Sequence, residues 1–178
     1  MDNFHEEIIV RKNKMLSGLL YILLNVLMVV LALIAAIFMQ NILTEQGVSL
    51  GAAGVFLASG GLAVLIYFSR NFLKVDYEYT FTNGIIDIAK VINNKKRKEL
   101  LSFHIKDAVE MAPIFTNGFN KYQSMTDVKK INAFVNRDNL KYFIYVPAAE
   151  EKKLIVMEPS DTFVELCKKY NMLNVKVK

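Results

Sequence analysis

The chain has 178 residues, 53% of them hydrophobic, with 22 Lys or Arg against 17 Asp or Glu and a mean hydropathy of +0.27. One Cys and two His exclude a disulfide framework, and equally a His/Cys zinc site, built from this chain alone. The segment from Asn71 onward supplies the whole net charge of +5 and is the right size for one small globular domain.

Residues 1–14 read as a short cytoplasmic tail, acidic at its start (Asp2, Glu6, Glu7) and basic at its end (Arg11, Lys12, Lys14). Phe4 and Ile8 are spaced to share one face of a short surface helix, and a frayed extension of the next element is the alternative. His5 falls within that solvated tail.

Residues 15–69 are nearly all apolar, with Glu45 the one charge between Lys14 and Arg70. Met15–Met39 has Ser17 and Asn25 as its strongly polar members, and Val48–Phe68 has Ser49, Ser59 and Tyr67. A spanning helix needs roughly 20 apolar residues, so both runs are long enough. A cleavable signal has an apolar region of about 7–15 residues, shorter than either run. The expectation is two transmembrane helices, about 15–39 and 48–69, joined by a short outer turn. Arg11, Lys12 and Lys14 precede them, Arg70 and Lys74 follow, and the turn has no Lys or Arg. The excess of basic residues on cytoplasmic flanks then places both termini inside.

Gly47, Gly51, Gly54, Ala58 and Gly61 recur at spacings of four and three, forming one face of the second helix. Gly18, Asn25 and Ala32 recur at seven on the first. Small residues let helix backbones approach closely, which favours packing within the hairpin over a dimerisation face.

From Val75 the period becomes that of a strand: Val75, Tyr77, Tyr79 and Phe81 alternate with polar residues. Asn83-Gly84 signals a two-residue hairpin turn, and Ile85–Ile92 returns. That turn pairs Phe81 with Ile86 and Tyr79 with Ile88. Asn93–Lys98 is the next turn, holding the basic run Lys95, Lys96, Arg97, Lys98. Glu99–Phe103, Ile105–Met111, Lys130–Asn136, Leu140–Val146 and Lys152–Met157 read as further short strands. Residues 113–129 read as a long loop with apolar anchors, among them Phe115, Phe119 and Tyr122. Loops of that length are commonly functional, so these three form a candidate partner-binding loop; a lid packed on the domain is the alternative. An amphipathic helix closes the chain, with Thr162 and Glu165 as a capping box and Phe163, Leu166, Cys167 and Tyr170 on one face.

Seven antiparallel strands and a closing helix from Val75 to Tyr170 resemble the pleckstrin-homology-like (PH-like) barrel. The whole chain is similar to bacterial two-span membrane proteins of unknown function with a C-terminal PH-like domain. The resemblance implies an α+β fold: a transmembrane hairpin in the cell membrane, then a cytosolic PH-like domain over 71–178. Eukaryotic PH domains grip inositol phosphates with basic residues around the first hairpin loop. Here that loop, Asn83-Gly84, has none, and the basic residues lie in the second turn.

Chemistry is sparse. His104 lacks an obvious partner, Cys167 falls on a buried helix face, and no phosphate loop, metal box or nucleophile elbow is present. No catalytic residue, cofactor or metal site is assigned, and the chain does not read as an enzyme. The reading is a membrane-anchored adaptor that binds a protein partner through its PH-like domain. The alternatives are an anionic-lipid reader acting through Lys95–Lys98, worth about 1 kcal/mol per basic residue near a charged leaflet, and an accessory subunit of a membrane complex. Aromatics placed for a core argue against nucleic acid.

Overall fold

The computed structural model of the protein describes residues 3–44, 49–148 and 151–177. The chain divides into two compact units: 13–74, and a second that joins the residues through Lys12 to everything from Val75 onward.

The first unit is a helical hairpin, α1 (Lys14–Thr44) and α2 (Leu50–Ser69), followed by a 3-10 turn (Arg70–Leu73). Both helices are long and apolar enough to cross a membrane, and nearly all of their surface is uncovered. A core helix of a water-soluble protein would be covered instead. The seam between them is narrow: Ala35 on α1 and Ser59 and Ala63 on α2 are its buried residues. A Cβ placed on Gly60 would sit 3.9 Å from that of Ala35. Gly51, Gly54, Ala58 and Gly61 lie on the neighbouring, exposed face of α2 and do not form the seam; Gly47 lies outside the described residues. Of the α1 trio, Gly18 and Asn25 are half-buried and Ala32 is exposed.

Among its described residues the second unit holds eight strands in two four-stranded sheets, neither closed, where the expectation is seven antiparallel strands in a barrel. The first sheet has the order β1-β2-β3-β4, made of Phe4–Ile9, Val75–Thr82, Ile85–Ile92 and Lys96–His104. The extra strand is β1. The N-terminal stretch is not a tail or helix but pairs antiparallel with β2, His5 opposite Phe81 and Glu7 opposite Tyr79. His5 and Glu7 face inward, half-buried, and the His5 ring meets Phe163 edge-on at 6.1 Å. The β2–β3 register is the one the turn dictates, Phe81 to Ile86 and Tyr79 to Ile88. Asn83 and Gly84 both have positive φ, and a Cβ on Gly84 would come within 2.7 Å of His104 and Tyr170. Glycine is therefore required there twice over, for its φ and for its size.

The second sheet runs β5-β7-β8-β6, made of Glu110–Pro113, Tyr142–Pro147, Lys152–Met157 and Val128–Ala133. Its β6–β8 pair is parallel. Ile105–Asp107 is a 3-10 turn rather than the start of a strand, and His104 Nδ1 accepts from the Lys106 N–H at its head (3.1 Å). The expected long loop contains α3 (Asn117–Gln123). The second sheet is buried on both faces. Tyr142, Ile144 and Val146 join the main core with Tyr79, Phe81, Ile86, Ile88 and Phe163. Phe143 and Tyr145, pointing the other way, pack with Tyr122 and Leu154 beneath α3. This explains why β7 reads as an unbroken apolar run rather than an alternation.

Helix α4 (Asp161–Tyr170) is capped by Ser160, whose Oγ accepts from the Phe163 N–H at 3.2 Å, so the Thr162–Glu165 capping box is not used. Cys167, on its buried face, is fully enclosed, and burial pushes its thiol well above the usual range. Thiolate is the reactive form. We expect no labelling of Cys167 by a maleimide in the native full chain at pH 7 within an hour, and stoichiometric labelling once the chain is denatured.

Candidate functional site

The two sheets leave a cleft of about 440 Å3 where β4, the edge strand of the first, passes the β7–β8 hairpin of the second. Leu101 and Phe103 offer apolar surface from β4, Val146 and Pro147 from β7, and Ile155 from β8; Lys153 and Asp107 stand at the rim. Ser102, between the two β4 apolar residues, is exposed. An edge strand presents unpaired backbone donors and acceptors, which an extended segment of another chain can complete.

The basic run adjoins this edge but is not a single turn. Only Lys95 lies in the turn; Lys96, Arg97 and Lys98 belong to β4, opposite Ile92, Val91 and Lys90. Strand pleating sends Lys96 and Lys98 to one face and Arg97 to the other. All four are exposed, and Arg97 Nη2 pairs with Glu78 Oε1 at 2.8 Å. The Glu78 carboxyl is held above its ordinary range, chiefly by burial, with Arg97 opposing and Glu6 adding to the rise.

Of the loop residues, Phe119 packs against Phe143 at 5.7 Å and Tyr122 stacks on Tyr145 at 4.1 Å. Burial raises the Tyr122 hydroxyl above its ordinary range. Phe115 alone of the three is exposed, at 68%. Helix α3 is thus a cover for the outer face of the second sheet, and its aromatics are engaged within the domain.

A polar knot went unnoticed in the sequence. Glu158, 6% exposed, accepts from the Asn136 backbone N–H (2.9 Å), Asn136 Nδ2 (2.6 Å) and Asn139 Nδ2 (3.0 Å). Asn136 in turn holds the chain ahead of α1: its Nδ2 donates to the Val10 carbonyl at 3.0 Å, and its Oδ1 accepts from the Lys12 N–H at 2.9 Å. Nearby Tyr79 donates its hydroxyl to the Ala133 carbonyl and accepts from the Glu158 N–H at 3.2 Å. Burial drives that hydroxyl far above its normal range. Lys141 Nζ, also buried, donates to the Arg137 and Asn139 carbonyls. At the other end of β1, Asn3 Nδ2 donates to Tyr170 Oη at 2.8 Å, and the Ser160 N–H donates to Glu7 at 3.1 Å. β1 is therefore fastened along its length.

Among the described residues no cluster of three or more His, Cys, Asp or Glu is placed to hold a metal. No curated protein and no solved structure matches the chain. The family described as "Bacterial PH-like domain (DUF6106)" matches residues 1–177, a span that takes in the N-terminal strand and both apolar helices as well as the sheets. The chain belongs to this bacterial PH-like family.

Proposed function

We propose that the protein is a membrane-anchored, non-enzymatic adaptor in which α1 and α2 cross the bacterial cell membrane and the PH-like domain captures a protein partner in the cytoplasm. The uncovered apolar surfaces of both helices favour the span, and basic residues confined to the two outer flanks favour the orientation. The pairing of β1 with β2 supports a topology in which the chain before α1 and after α2 share one side of the membrane.

The observation that carries the adaptor role is the cleft beside the free edge of β4. Its floor is apolar, and its charged lining is Lys153 and Asp107, with Lys96, Lys98 and Glu99 further along β4. The complementary occupant is an extended apolar segment with an acidic residue placed for Lys153, which adds a strand and seats its apolar side chains between the sheets.

A photo-crosslinking amino acid at Ser102 in the full-length protein, activated in living cells, tests this. A discrete protein adduct is expected that is lost when Lys98→Glu and Lys153→Glu are introduced together, and is absent when the probe replaces Asp138. Adducts of lipid mass only, or none, would end the adaptor reading.

A further inference from the structure

Where α2 finishes, two cations stand together, neither ion-paired among the described residues. Arg70 donates from Nη1 to Asn25 Oδ1, and Asn25 is itself fixed by donating from Nδ2 to the Tyr21 carbonyl at 2.6 Å. The guanidinium carbon lies 4.7 Å from the Tyr67 ring centre and 5.9 Å from that of Tyr21. Lys74 Nζ lies 3.9 Å from the Tyr21 centre. The one acidic residue of segment 13–74 is Glu45, which lies outside the described residues. Arg70 Nε is buried and has no hydrogen-bond acceptor among the described residues.

Each part of this arrangement asks for an anion. Tyr21 and Tyr67 fix the positions of the cations without neutralising them. Asn25 occupies one arm of the guanidinium, leaving the Nε side, the edge suited to a two-point grip on a phosphate, unsatisfied. A buried donor without an acceptor is costly, so some oxygen is needed there. Arg70 and Lys74 follow α2 directly, on the flank of the hairpin that carries its basic residues.

We propose that Arg70 and Lys74, positioned by Asn25, Tyr21 and Tyr67, form a binding site for the phosphate of an anionic membrane lipid. The site rests on the membrane-spanning reading of the hairpin and is independent of the β4 cleft and of Lys95–Lys98. Two adjacent cations select a net negative headgroup over a zwitterionic one.

The test is native mass spectrometry of the full chain released from nanodiscs of equal phosphatidylcholine and phosphatidylglycerol. Wild type should retain phosphatidylglycerol in preference to phosphatidylcholine by about tenfold or more. Arg70→Gln with Lys74→Gln should abolish the preference, Asn25→Leu should weaken it, and Lys96→Gln with Lys98→Gln should leave it intact. Protection of Cys167 from maleimide reports whether each variant is folded. Equal retention of the two lipids by wild type would overturn the site even if every variant misfolded. So would a preference lost only in the Lys96/Lys98 variant, or inorganic phosphate bound as well in lipid-free micelles as the lipid is in discs. Wild type that fails to enter nanodiscs would overturn the spanning reading together with the site, whereas insertion without lipid preference overturns the site alone.

Discussion

A chain lacking residues 1–9 is expected to lose its folded domain while its two apolar helices stay in the membrane fraction. β1 pairs with β2 through six residues, packs Ile9 against the main core, and sets His5 on Phe163. Its removal uncovers Tyr79, Phe81 and Phe163 and strips the β2 edge of its partner. Net contributions near 1 kcal/mol for each lost hydrogen bond, plus the apolar area exposed, sum to on the order of 5 kcal/mol. A domain of this size has about 5–15 kcal/mol in all. Maleimide reaction at Cys167 checks the result: the truncated chain should label at pH 7 where the intact chain does not. Continued protection would mean that β1 is dispensable. By the same argument a 71–178 fragment should not behave as an independent domain.

The second large effect is expected at Asn136. Replacing it by Ala removes the donor to Glu158 and both bonds to Val10 and Lys12, leaving a buried carboxylate with two partners in place of three. Losing a bond to a buried charge costs about 1.5–3 kcal/mol and each neutral one about 1, so the variant should be destabilised by roughly 3–5 kcal/mol. Asn136→Asp should do no better near neutral pH, despite keeping the acceptor for Lys12, because it places a second carboxylate beside Glu158. Two carboxylates at hydrogen-bond distance cannot both ionise without penalty. That variant binds a proton more readily when folded than when unfolded, so its deficit should shrink as pH falls from 7 toward 5, and more than that of the Ala variant, which adds no second carboxylate. Thermal unfolding of the full chain in micelles at the two pH values separates the variants. Equal pH dependence would rule out the proposed contact.

How legible was this in the sequence? Where a signal was local and one-sided, it read true. The apolar runs gave the helices, and Asn83-Gly84 gave β2, β3 and their register. β8 has the bounds expected of it, Lys152–Met157. β1 was illegible because its outward face carries Phe4 and Ile8 while its inward face carries His5 and Glu7, the reverse of the pattern that marks a half-buried strand. Its meaning comes from β2, far along the chain. The parallel β6–β8 pair is likewise a matter of tertiary placement. The candidate site was half legible: the basic run was visible, but not that β4 begins at Lys96 and splits it across two faces. The contact of Asn136, read as a strand end, with Glu158 was not legible because nothing near them in sequence reveals burial. The described members of the small-residue stripe on α2 are exposed, and the buried seam lies on Ser59, Gly60 and Ala63.

The placement of β1 bears on how the chain comes to fold. During synthesis β1 emerges first, and its partner follows only after the 65 residues 10–74. As a free coil, closing a loop of that length would cost about 4 kcal/mol of entropy. The helical hairpin shortens the path: with α1 and α2 antiparallel and Tyr21 beside Lys74, the two ends are already neighbours when β2 appears. Assembly of the helices thus removes most of the closure penalty for the sheet. A nick in the connection at 45–48 would return part of it, and the edge strand would be the first element to come loose.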